Sequence, residues 1–218
     1  MAYLRGMSER KAIHRKTAEL RREEILQAAI RLVSQKGFAA VTLRDVAFEV
    51  GVAHGLMRHY FDSRDELIAA AFDRAVSEEL ATVCDTDPDP VVAIASWVGA
   101  VSREYYLVWI DAWSEAPRSP ALLEPLRRHH LDCERRLVSI VDRGVRSGVF
   151  HTRDSAGVAR ILTAIADGLA VQQHAIGVID AVDSDRLMFG QVETMLGLEP
   201  GAVARAPAHA SRGQSLVG

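Results

Sequence analysis

The 218-residue sequence lacks several features that define other classes of protein. It holds only two cysteines, Cys84 and Cys133, and their spacing matches neither a disulfide framework nor a zinc site. We interpret both as free thiols in a reducing cytosol, with thiol sensing as the alternative. No run of about 18 apolar residues is present, and the first residues lack the apolar core of a signal peptide. The sequence therefore predicts a cytoplasmic protein with no membrane span.

Catalytic and metal-binding signatures are also missing. The sequence contains no G-x-S-x-G motif, no glycine-rich phosphate loop and no cysteine–histidine pair in a recognisable context. His129, His130 and His151 lack the spacing of metal ligands, and we expect them to be solvated surface residues. The sequence therefore predicts a protein that is not an enzyme and that holds no metal or cofactor.

Charge is distributed unevenly along an otherwise ordinary composition. Hydrophobic residues make up 49% of the chain and charged residues 25%, as in a folded globular protein, and the net charge is −3. Residues 1–66 carry 12 lysines and arginines against 9 acidic residues, whereas residues 67–218 carry 14 against 20. The positive charge is concentrated near the N-terminus, as expected for a domain that binds nucleic-acid phosphates.

Residues 42–64, TLRDVAFEVGVAHGLMRHYFDSR, are typical of two short helices followed by the start of a third. Thr42 and Asp45 predict an N-capped first helix, and Gly51 predicts its end. A second helix is expected over residues 53–60, with a polar and basic outer surface. Two helices joined by a tight turn indicate a helix-turn-helix that reads DNA.

The residues that contact DNA follow from this geometry. A helix that enters the major groove needs short or bidentate side chains near its N-terminus, with phosphate-binding groups around it. Leu56 and Met57 are expected to face inward, and the helix N-termini at Thr42 and Ser63 offer amides to phosphate. We predict base-edge or groove contacts from Arg44, His54, Gly55, Arg58 and His59. Phosphate contacts are predicted for Thr42, Tyr60 and Arg64.

These residues resemble the DNA-binding domain of the TetR family of bacterial transcriptional regulators. The T-x-x-x-V/I-A-x-x-x-G-V pattern of that family matches at Thr42, Val46, Ala47, Gly51 and Val52. Its H/Y-Y/H-F-x-S/N-K/R-x-x-L pattern matches at His59, Tyr60, Phe61, Ser63, Arg64 and Leu67. Ala53 departs from the usual capping Ser or Thr, and Arg58 departs from the usual Tyr. The run HGLMRHYF is similar to the choline-responsive betaine-synthesis repressors within the family.

The rest of the chain shows helical patterns and no strand alternation. Together with the resemblance, this predicts an all-α fold of about nine helices, the first from Thr17 to Lys36, the eighth from behind Asp154 to about Ile176, and the ninth from about Ser184 to Leu196. We divide the chain into a basic flexible arm at residues 1–16, a helix-turn-helix domain at 17–66, a helical effector-binding and dimerisation domain at 67–198, and a disordered tail at 199–218. The arm is either solvated or adds phosphate or minor-groove contacts.

The resemblance also implies how the protein assembles. Family members dimerise through their last two long helices, which gives Leu162, Ile165, Leu169, Gln173, Val192 and Leu196 as interface candidates. A homodimer implies a pseudo-palindromic double-stranded DNA operator, bound most often by a repressor and released by a small-molecule effector. The alternatives are an activator, or a helical ligand-binding protein or enzyme with a vestigial DNA reader.

Aromatic residues are scarce, at 6% of the chain, yet all three tryptophans and two of the four tyrosines fall within residues 97–113. Four of these five recur on one helical face, where they form either a core stripe or an effector pocket. With Asp111, Glu115 or Asp167 nearby, such a pocket suits a quaternary ammonium cation through cation–π attraction, and it suits an apolar or aromatic compound equally. The predicted ligand-binding set is Trp97, Tyr105, Tyr106, Trp109, Trp113 and Asp167.

Asp167 stands out because it interrupts the apolar stretch TAIADGLAV. A buried carboxylate is costly unless it is paired or hydrogen-bonded. We expect it to pair with an arginine of the preceding helix, and a ligand cation is the alternative. The candidate partners are Arg127, Arg128, Arg135 and Arg136.

Overall fold

The computed structural model describes residues 2–83, 85–99 and 103–207, and this part of the chain contains ten α-helices and no β-strand. The all-α prediction is therefore confirmed. The helices are α1 (Ala2–Lys36), α2 (Leu43–Glu49), α3 (His54–Met57), α4 (Arg64–Thr82), α5 (Pro90–Gly99), α6 (Arg103–Glu115), α7 (Pro120–Arg146), α8 (Ser155–Ala170), α9 (Ala181–Leu196) and α10 (Ala202–Arg205). A 3-10 turn (Ala116–Arg118) joins α6 to α7, and a π-helical turn (Val171–Ala175) extends α8. Cys84 and residues 208–218 lie outside the described residues.

The N-terminal helices pack around large aromatic side chains. α1 ends at Gly37, whose φ of 81° is accessible to glycine without the strain that a Cβ would cause. Phe38, Phe61 and Phe72 are each less than 2% exposed, and they bring the α1–α2 turn, the segment after α3 and the middle of α4 into one core. Burial of one such side chain stabilises a fold by roughly 1.5–3 kcal/mol, so this cluster holds α2 and α3 on α4.

The C-terminal helices form a second core around α7. Leu137 and Ile140 of α7 pack with Leu162 of α8 and Val192 of α9, and all four are at most 1% exposed. Because α7 contacts α4 as well as α5 and α8, it joins the two cores into one body. A cavity lies in the space between α4 and the C-terminal helices.

Two helix boundaries near the N-terminus differ from the sequence expectation. α1 begins at Ala2, so its first turns run through the segment predicted to be a flexible arm. Residues 2–16 contain no proline and many good helix formers, which favours this continuation. α3 ends at Met57, earlier than residue 60, because the chain tightens there into a turn in which the His59 amide donates to the Leu56 carbonyl at 3.0 Å.

Boundaries near the C-terminus differ as well. α9 begins at Ala181 because the Asp180 side chain accepts a hydrogen bond from the Asp183 amide at 2.8 Å. The tail predicted to be disordered from residue 199 forms α10, so that prediction is wrong for residues 199–207. The buried Glu193 carboxylate accepts hydrogen bonds from the amides of Gly201 and Val203, at 2.9 and 3.0 Å, and holds α10 against α9.

Candidate functional site

Solvent-facing residues of α2, α3 and the turn that follows α3 form a surface, here called the reader surface. Its members are the residues predicted to contact bases, and all of them are exposed: Arg44, His54, Gly55, Arg58 and His59. Met57 is fully buried as expected, but Leu56 is 37% exposed, so its predicted inward orientation is wrong. Ala53 makes no side-chain cap hydrogen bond, and this four-residue helix therefore starts without the stabilisation that a Ser or Thr supplies.

The N-terminus of α2 is closed by a carboxylate of the chain itself. The Thr42 hydroxyl and amide both donate to Oδ2 of Asp45, at 2.8 and 2.9 Å. Lys36 Nζ lies 2.9 Å from the same oxygen, and the hydrogen bonds from Lys36 and Thr42 lower the pKa of Asp45 to about 2. A phosphate at Thr42 therefore has to compete with a fully ionised carboxylate.

Ser63 caps α4 in a similar way, by accepting a hydrogen bond from the Glu66 amide at 3.1 Å. Arg64, the first residue of α4, turns its guanidinium inward. Its Nε donates to the Val41 carbonyl at 2.7 Å, and its Nη2 donates to the Phe38 carbonyl. The predicted phosphate contact of Arg64 is corrected to a structural one, because these bonds attach α4 to the turn between α1 and α2. Tyr60 is only partly exposed and packs against the N-terminal core.

One cavity of about 720 Å³, including its opening to solvent, lies among α4, α5, α6, α7, α8 and α9. The structure brings all six predicted ligand-binding residues to its wall: Trp97, Tyr105, Tyr106, Trp109, Trp113 and Asp167. Tyr105 and Trp109 are also among the buried core residues, at 6% and 5% exposure. The aromatic stripe therefore belongs to the core and lines a cavity at the same time.

The aromatic rings contact one another at steep angles. Tyr105 and Trp109 have ring centroids 6.0 Å apart with an interplanar angle of 62°, and Trp109 and Trp113 have centroids 5.8 Å apart at 48°. Tyr106 stacks on His174 of the π-helical turn, with centroids 5.4 Å apart. Such packing fixes the rings before any ligand arrives, which lowers the entropic cost of binding.

Asp167 forms no ion pair or hydrogen bond with any side chain that the structure describes. Three of the four expected arginine partners are paired elsewhere, because Arg128 pairs with Asp73 and both Arg135 and Arg136 pair with Asp132. The predicted ion pair with α7 is therefore wrong in the free protein. Burial raises the pKa of Asp167 to about 6, although the neighbouring His130 acts in the opposite direction. A carboxyl group that titrates near neutrality thus faces the cavity.

The other two acidic candidates lie away from the cavity. Asp111 Oδ2 accepts a hydrogen bond from the Phe38 amide at 2.5 Å, and Glu115 pairs with Arg118 at 3.3 Å. Neither residue lines the cavity, so the expectation that they hold a ligand cation there is wrong.

One buried polar atom of the cavity wall lacks a well-formed hydrogen bond. Trp109 Nε1 is shielded from solvent and no acceptor among the described residues meets it with good geometry, although it lies close enough to the Tyr105 hydroxyl to act on the pKa of that group, which burial raises. Leaving such a donor poorly satisfied costs up to about 1–3 kcal/mol. Cys133 also lines the cavity, but burial raises the pKa of its thiol to about 12, so the thiol stays protonated and a thiolate-based sensor is disfavoured.

The candidate dimer residues divide into two groups. Leu162, Leu169, Val192 and Leu196 are buried within the protomer, and they are removed from the candidate interface because the apolar stripes of α8 and α9 face the core around α7. Ile165 and Gln173 are partly exposed. The exposed apolar residues of α8, α9 and the segment between them are Ile161, Ile176, Val178, Val182 and Leu187.

The described residues can also be considered as possible membrane spans and metal ligands. None of the described helices combines the length and the apolar character needed to cross a membrane. In the part of the chain that the structure describes, no three His, Cys, Asp or Glu side chains are placed to hold a metal ion.

Two family profiles match this chain. The profile described as "Bacterial regulatory proteins, tetR family" matches residues 25–71, which contain the reader surface. The profile described as "BetI-type transcriptional repressor, C-terminal" matches residues 95–197, which contain all six predicted ligand-binding residues. The chain belongs to the TetR family. It is a DNA-binding transcriptional regulator with a BetI-type C-terminal domain.

This TetR-family regulator is similar to known transcriptional regulators over most of its length. The HTH-type transcriptional regulator BetI of Brucella suis is 27% identical over 194 residues, which cover 84% of this chain and 95% of the relative. The BetI of Rhizobium meliloti is 28% identical over 163 residues, which cover 71% of this chain and 78% of the relative. Both relatives are transcriptional regulators.

Solved structures share the fold. A TetR transcription regulator from Haloarcula marismortui superposes with a TM-score of 0.71 at 22% identity, covering 81% of this chain and 97% of that chain. A transcriptional regulator from Saccharomonospora viridis, solved in complex with choline, superposes with a TM-score of 0.69 at 22% identity, covering 80% of this chain and 95% of that chain.

Sequence reasoning missed several cavity residues of this TetR-family regulator. Glu79, His130, Cys133 and Thr163 all line the cavity. His130 and Cys133 lie between Leu126 and Leu137 at helical spacing, and Glu79 follows Val76 on the inner face of α4. Polar residues within an apolar stripe were the signal that could have found them. The expectation that His129 is a solvated surface residue is also wrong, since it is 7% exposed and its Nε2 lies 2.6 Å from Asp73 Oδ1.

Proposed function

We propose that this TetR-family regulator is a homodimeric repressor that acts in the cytoplasm, binds a pseudo-palindromic operator, and leaves it when a quaternary ammonium compound occupies the aromatic cavity. The observation that carries the proposal is the convergence of five aromatic rings and the unpaired carboxylate of Asp167 on one cavity. The choline in the Saccharomonospora viridis structure supports this class of ligand.

The charges of the cavity wall favour a cation over a neutral apolar compound. Among the described residues of the wall, none is lysine or arginine, while Glu79 and Asp167 are acidic. A cation near Asp167 favours its ionised form and offsets the burial that raises its pKa to about 6. A neutral ligand leaves that cost in place. Aromatic faces add cation–π attraction of roughly 0.5–2 kcal/mol for each well-placed ring.

Trp109 Nε1 narrows the class further. Because this buried donor has no well-formed hydrogen bond within the described chain, the best ligand carries an oxygen that the N–H can reach. A quaternary ammonium alcohol has both groups, whereas tetramethylammonium has only the cation. We therefore expect the effector to combine a permanent positive charge with a hydrogen-bond acceptor.

Calorimetry with three small probes tests the effector class. Choline should bind the dimer, tetramethylammonium should bind more weakly, and the neutral isostere 3,3-dimethylbutan-1-ol should bind at least about tenfold more weakly than choline. Trp109→Phe should weaken choline but not tetramethylammonium, because it keeps a ring and removes the N–H. Equal affinity for choline and its neutral isostere would reassign the cavity to apolar compounds.

The proposed interface uses the exposed apolar residues at the end of α8 and along α9. Val182 is 74% exposed and Leu187 is 45% exposed, and an isolated protomer leaves both in water. A two-fold contact buries them and spaces two reader surfaces for successive major grooves. In sedimentation, Leu187→Glu should dissociate the dimer, whereas Leu20→Glu on the exposed side of α1 should not. A Leu187→Glu dimer of unchanged affinity would place the interface elsewhere.

Operator recognition is assigned to the reader surface. We propose that Arg44, His54, Gly55, Arg58 and His59 approach bases or the groove, and that Thr42 and Tyr60 contact phosphates. Selection of random duplex DNA by the purified protein, followed by sequencing, should enrich a palindrome whose half-sites are about one helical turn apart or somewhat more. No enrichment by a folded dimer would favour a vestigial reader.

A further inference from the structure

α6 has two faces with different neighbours. Tyr105 and Trp109 line the cavity. Asp111 follows Trp109 by two residues, and since a helix has about 3.6 residues per turn, its side chain leaves from the opposite side. There Asp111 Oδ2 accepts the 2.5 Å hydrogen bond from the amide of Phe38, the residue that leads from α1 toward α2.

Phe38 is also held by contacts with α4. The Phe38 carbonyl accepts a hydrogen bond from Arg64 at the start of α4. The Phe38 ring meets Phe72 edge-on with centroids 6.1 Å apart, and Phe72 meets the cavity residue Trp109 edge-on at 5.4 Å. The Phe38 amide thus attaches the turn between α1 and α2 to α6, and the Phe38 carbonyl attaches the same turn to α4.

The contact between Asp111 and the turn is also tight. A Cβ added at Gly37 would lie 3.1 Å from Asp111 Oδ2, and the φ of Gly37 is +81°. Glycine therefore leaves the Asp111 carboxylate room to approach the turn closely, and a shift of the carboxylate acts on the turn through the Phe38 amide.

We propose that Asp111 is a positioning residue that transmits occupation of the cavity to the reader surface. An occupant that displaces Trp109 shifts α6, and Asp111 carries that shift to the Phe38 amide. The turn then rotates the start of α2, whose first residue is Leu43, relative to α4. The inference rests on the proposed function only in that occupation of the cavity has to change DNA affinity.

The coupling factor tests this role. It is the ratio of operator Kd values measured with and without saturating choline, and allosteric proteins typically give about 5- to 150-fold. Asp111→Ala should bind choline with unchanged Kd, while its coupling factor falls below about twofold. Asp111→Asn, whose amide oxygen still accepts the Phe38 N–H, should keep the coupling. Ser114→Ala, at an exposed position of α6, is the matched control and should also keep it.

Two results would overturn the proposal. One is an unchanged coupling factor in a folded Asp111→Ala dimer. The other is an Asp111→Asn variant that loses coupling as completely as Asp111→Ala, because then the charge and not the hydrogen bond would matter.

If Asp111→Ala does not fold, NMR on the wild-type protein tests the same proposal. Labelling with ¹⁵N-phenylalanine gives six backbone amide signals, since the chain has 6 phenylalanines. Choline should shift the Phe38 signal and leave the signal of Phe150 in place, because the Phe150 amide bonds to the Gly144 carbonyl at 3.0 Å and Phe150 does not line the cavity. An unmoved Phe38 signal in the choline-bound dimer overturns the role of Asp111.

Failure of choline to bind would be a failure of the proposed ligand and is seen directly by calorimetry. The role of Asp111 is then tested without a ligand. Ala166→Leu places extra volume in the cavity, since Ala166 lines it. It should shift the Phe38 signal in the chain that keeps Asp111 and not in the Asp111→Ala background. A Phe38 signal that ignores Ala166→Leu overturns the proposal.

Discussion

The reader surface and the aromatic cavity satisfy their polar groups in opposite ways. Beside the reader surface, Thr42, Asp45 and Lys36 bond to one another within ten residues of sequence, and the side chains of the reader surface itself remain in water. In the cavity, six helices contribute the wall. Among the described side chains, the Asp167 carboxylate has no hydrogen bond or ion pair and Trp109 Nε1 has no well-formed hydrogen bond. Water satisfies the hydrogen bonds of exposed polar groups on a surface that DNA covers only transiently. Buried polar groups without partners instead store a free-energy cost that a specific ligand can relieve.

Phe72→Ala should damage both the reader surface and the cavity, because Phe72 contacts both Phe38 and Trp109. Removing a fully buried phenylalanine costs about 3–5 kcal/mol of unfolding free energy. Denaturant unfolding should show this loss, and DNA binding and choline binding should weaken together. Phe48→Ala is the control, since Phe48 is 87% exposed on α2, and it should change stability by less than about 0.5 kcal/mol. Intact choline binding in Phe72→Ala would mean that the cavity does not depend on the N-terminal core.

Arg58→Ala should damage the reader surface alone. If Arg58 reads a guanine, the loss should be about 1–3 kcal/mol of specific operator binding, with choline affinity unchanged. Gel-shift titration on the selected operator and on scrambled DNA measures the difference. Arg186→Ala, at an exposed position on α9, is the control and should change neither affinity. An equal loss on scrambled DNA would reduce Arg58 to a phosphate contact.

Asp167→Asn should damage the cavity alone, and its effect should depend on pH. The folded pKa of about 6 lies above the usual 3.8, so the folded state binds this proton more tightly than the unfolded chain does. The destabilisation by Asp167 is therefore complete above pH 6 and disappears as the pH falls toward 4. At pH 8 the variant should be more stable by about 1–3 kcal/mol, and at pH 4 the two proteins should unfold alike.

The same variant should lose choline affinity by about tenfold or more at pH 8, because the carboxylate partner is gone. Choline affinity of the wild type should fall as the pH drops through 6, since protonation removes that charge. Asp62→Asn, at an exposed position before α4, is the matched control and should leave both pH profiles unchanged. A wild-type affinity that is flat between pH 5 and 8 would remove Asp167 from the ligand's contacts.

Ala53→Ser should produce the smallest effect, a modest gain in the stability of α3 and in operator affinity. Ala53 already has extended backbone angles, φ −63° and ψ 135°, and it provides no side-chain cap. A serine there should stabilise α3 by about 0.5–1 kcal/mol and tighten operator binding by a few fold. Ala53→Val, which caps no better than alanine, is the control. Unchanged affinity in a folded Ala53→Ser protein would show that DNA itself orders this helix.

Much of the reader surface was predictable because its structure is local. The capping pair Thr42 and Asp45 and the positive φ of Gly51 act within one or two helical turns, so their effect can be read from a short window of sequence. The cavity was predictable only in part. Spacing placed four aromatic residues on one face of α6, but it left open whether that face met the core or a cavity.

The sequence by itself determined the all-α class, nine of the ten described helices, the family pattern of the reader and the identity of the aromatic residues. Only the tertiary structure decided which polar groups are paired. Arg64 faces the protein, Asp111 bonds to Phe38, and Asp167 has no partner among the described side chains. Leu162 and Val192 likewise face the protomer core and not a second subunit. These outcomes depend on contacts between helices far apart in sequence, and helical spacing specifies a face without specifying what that face will meet.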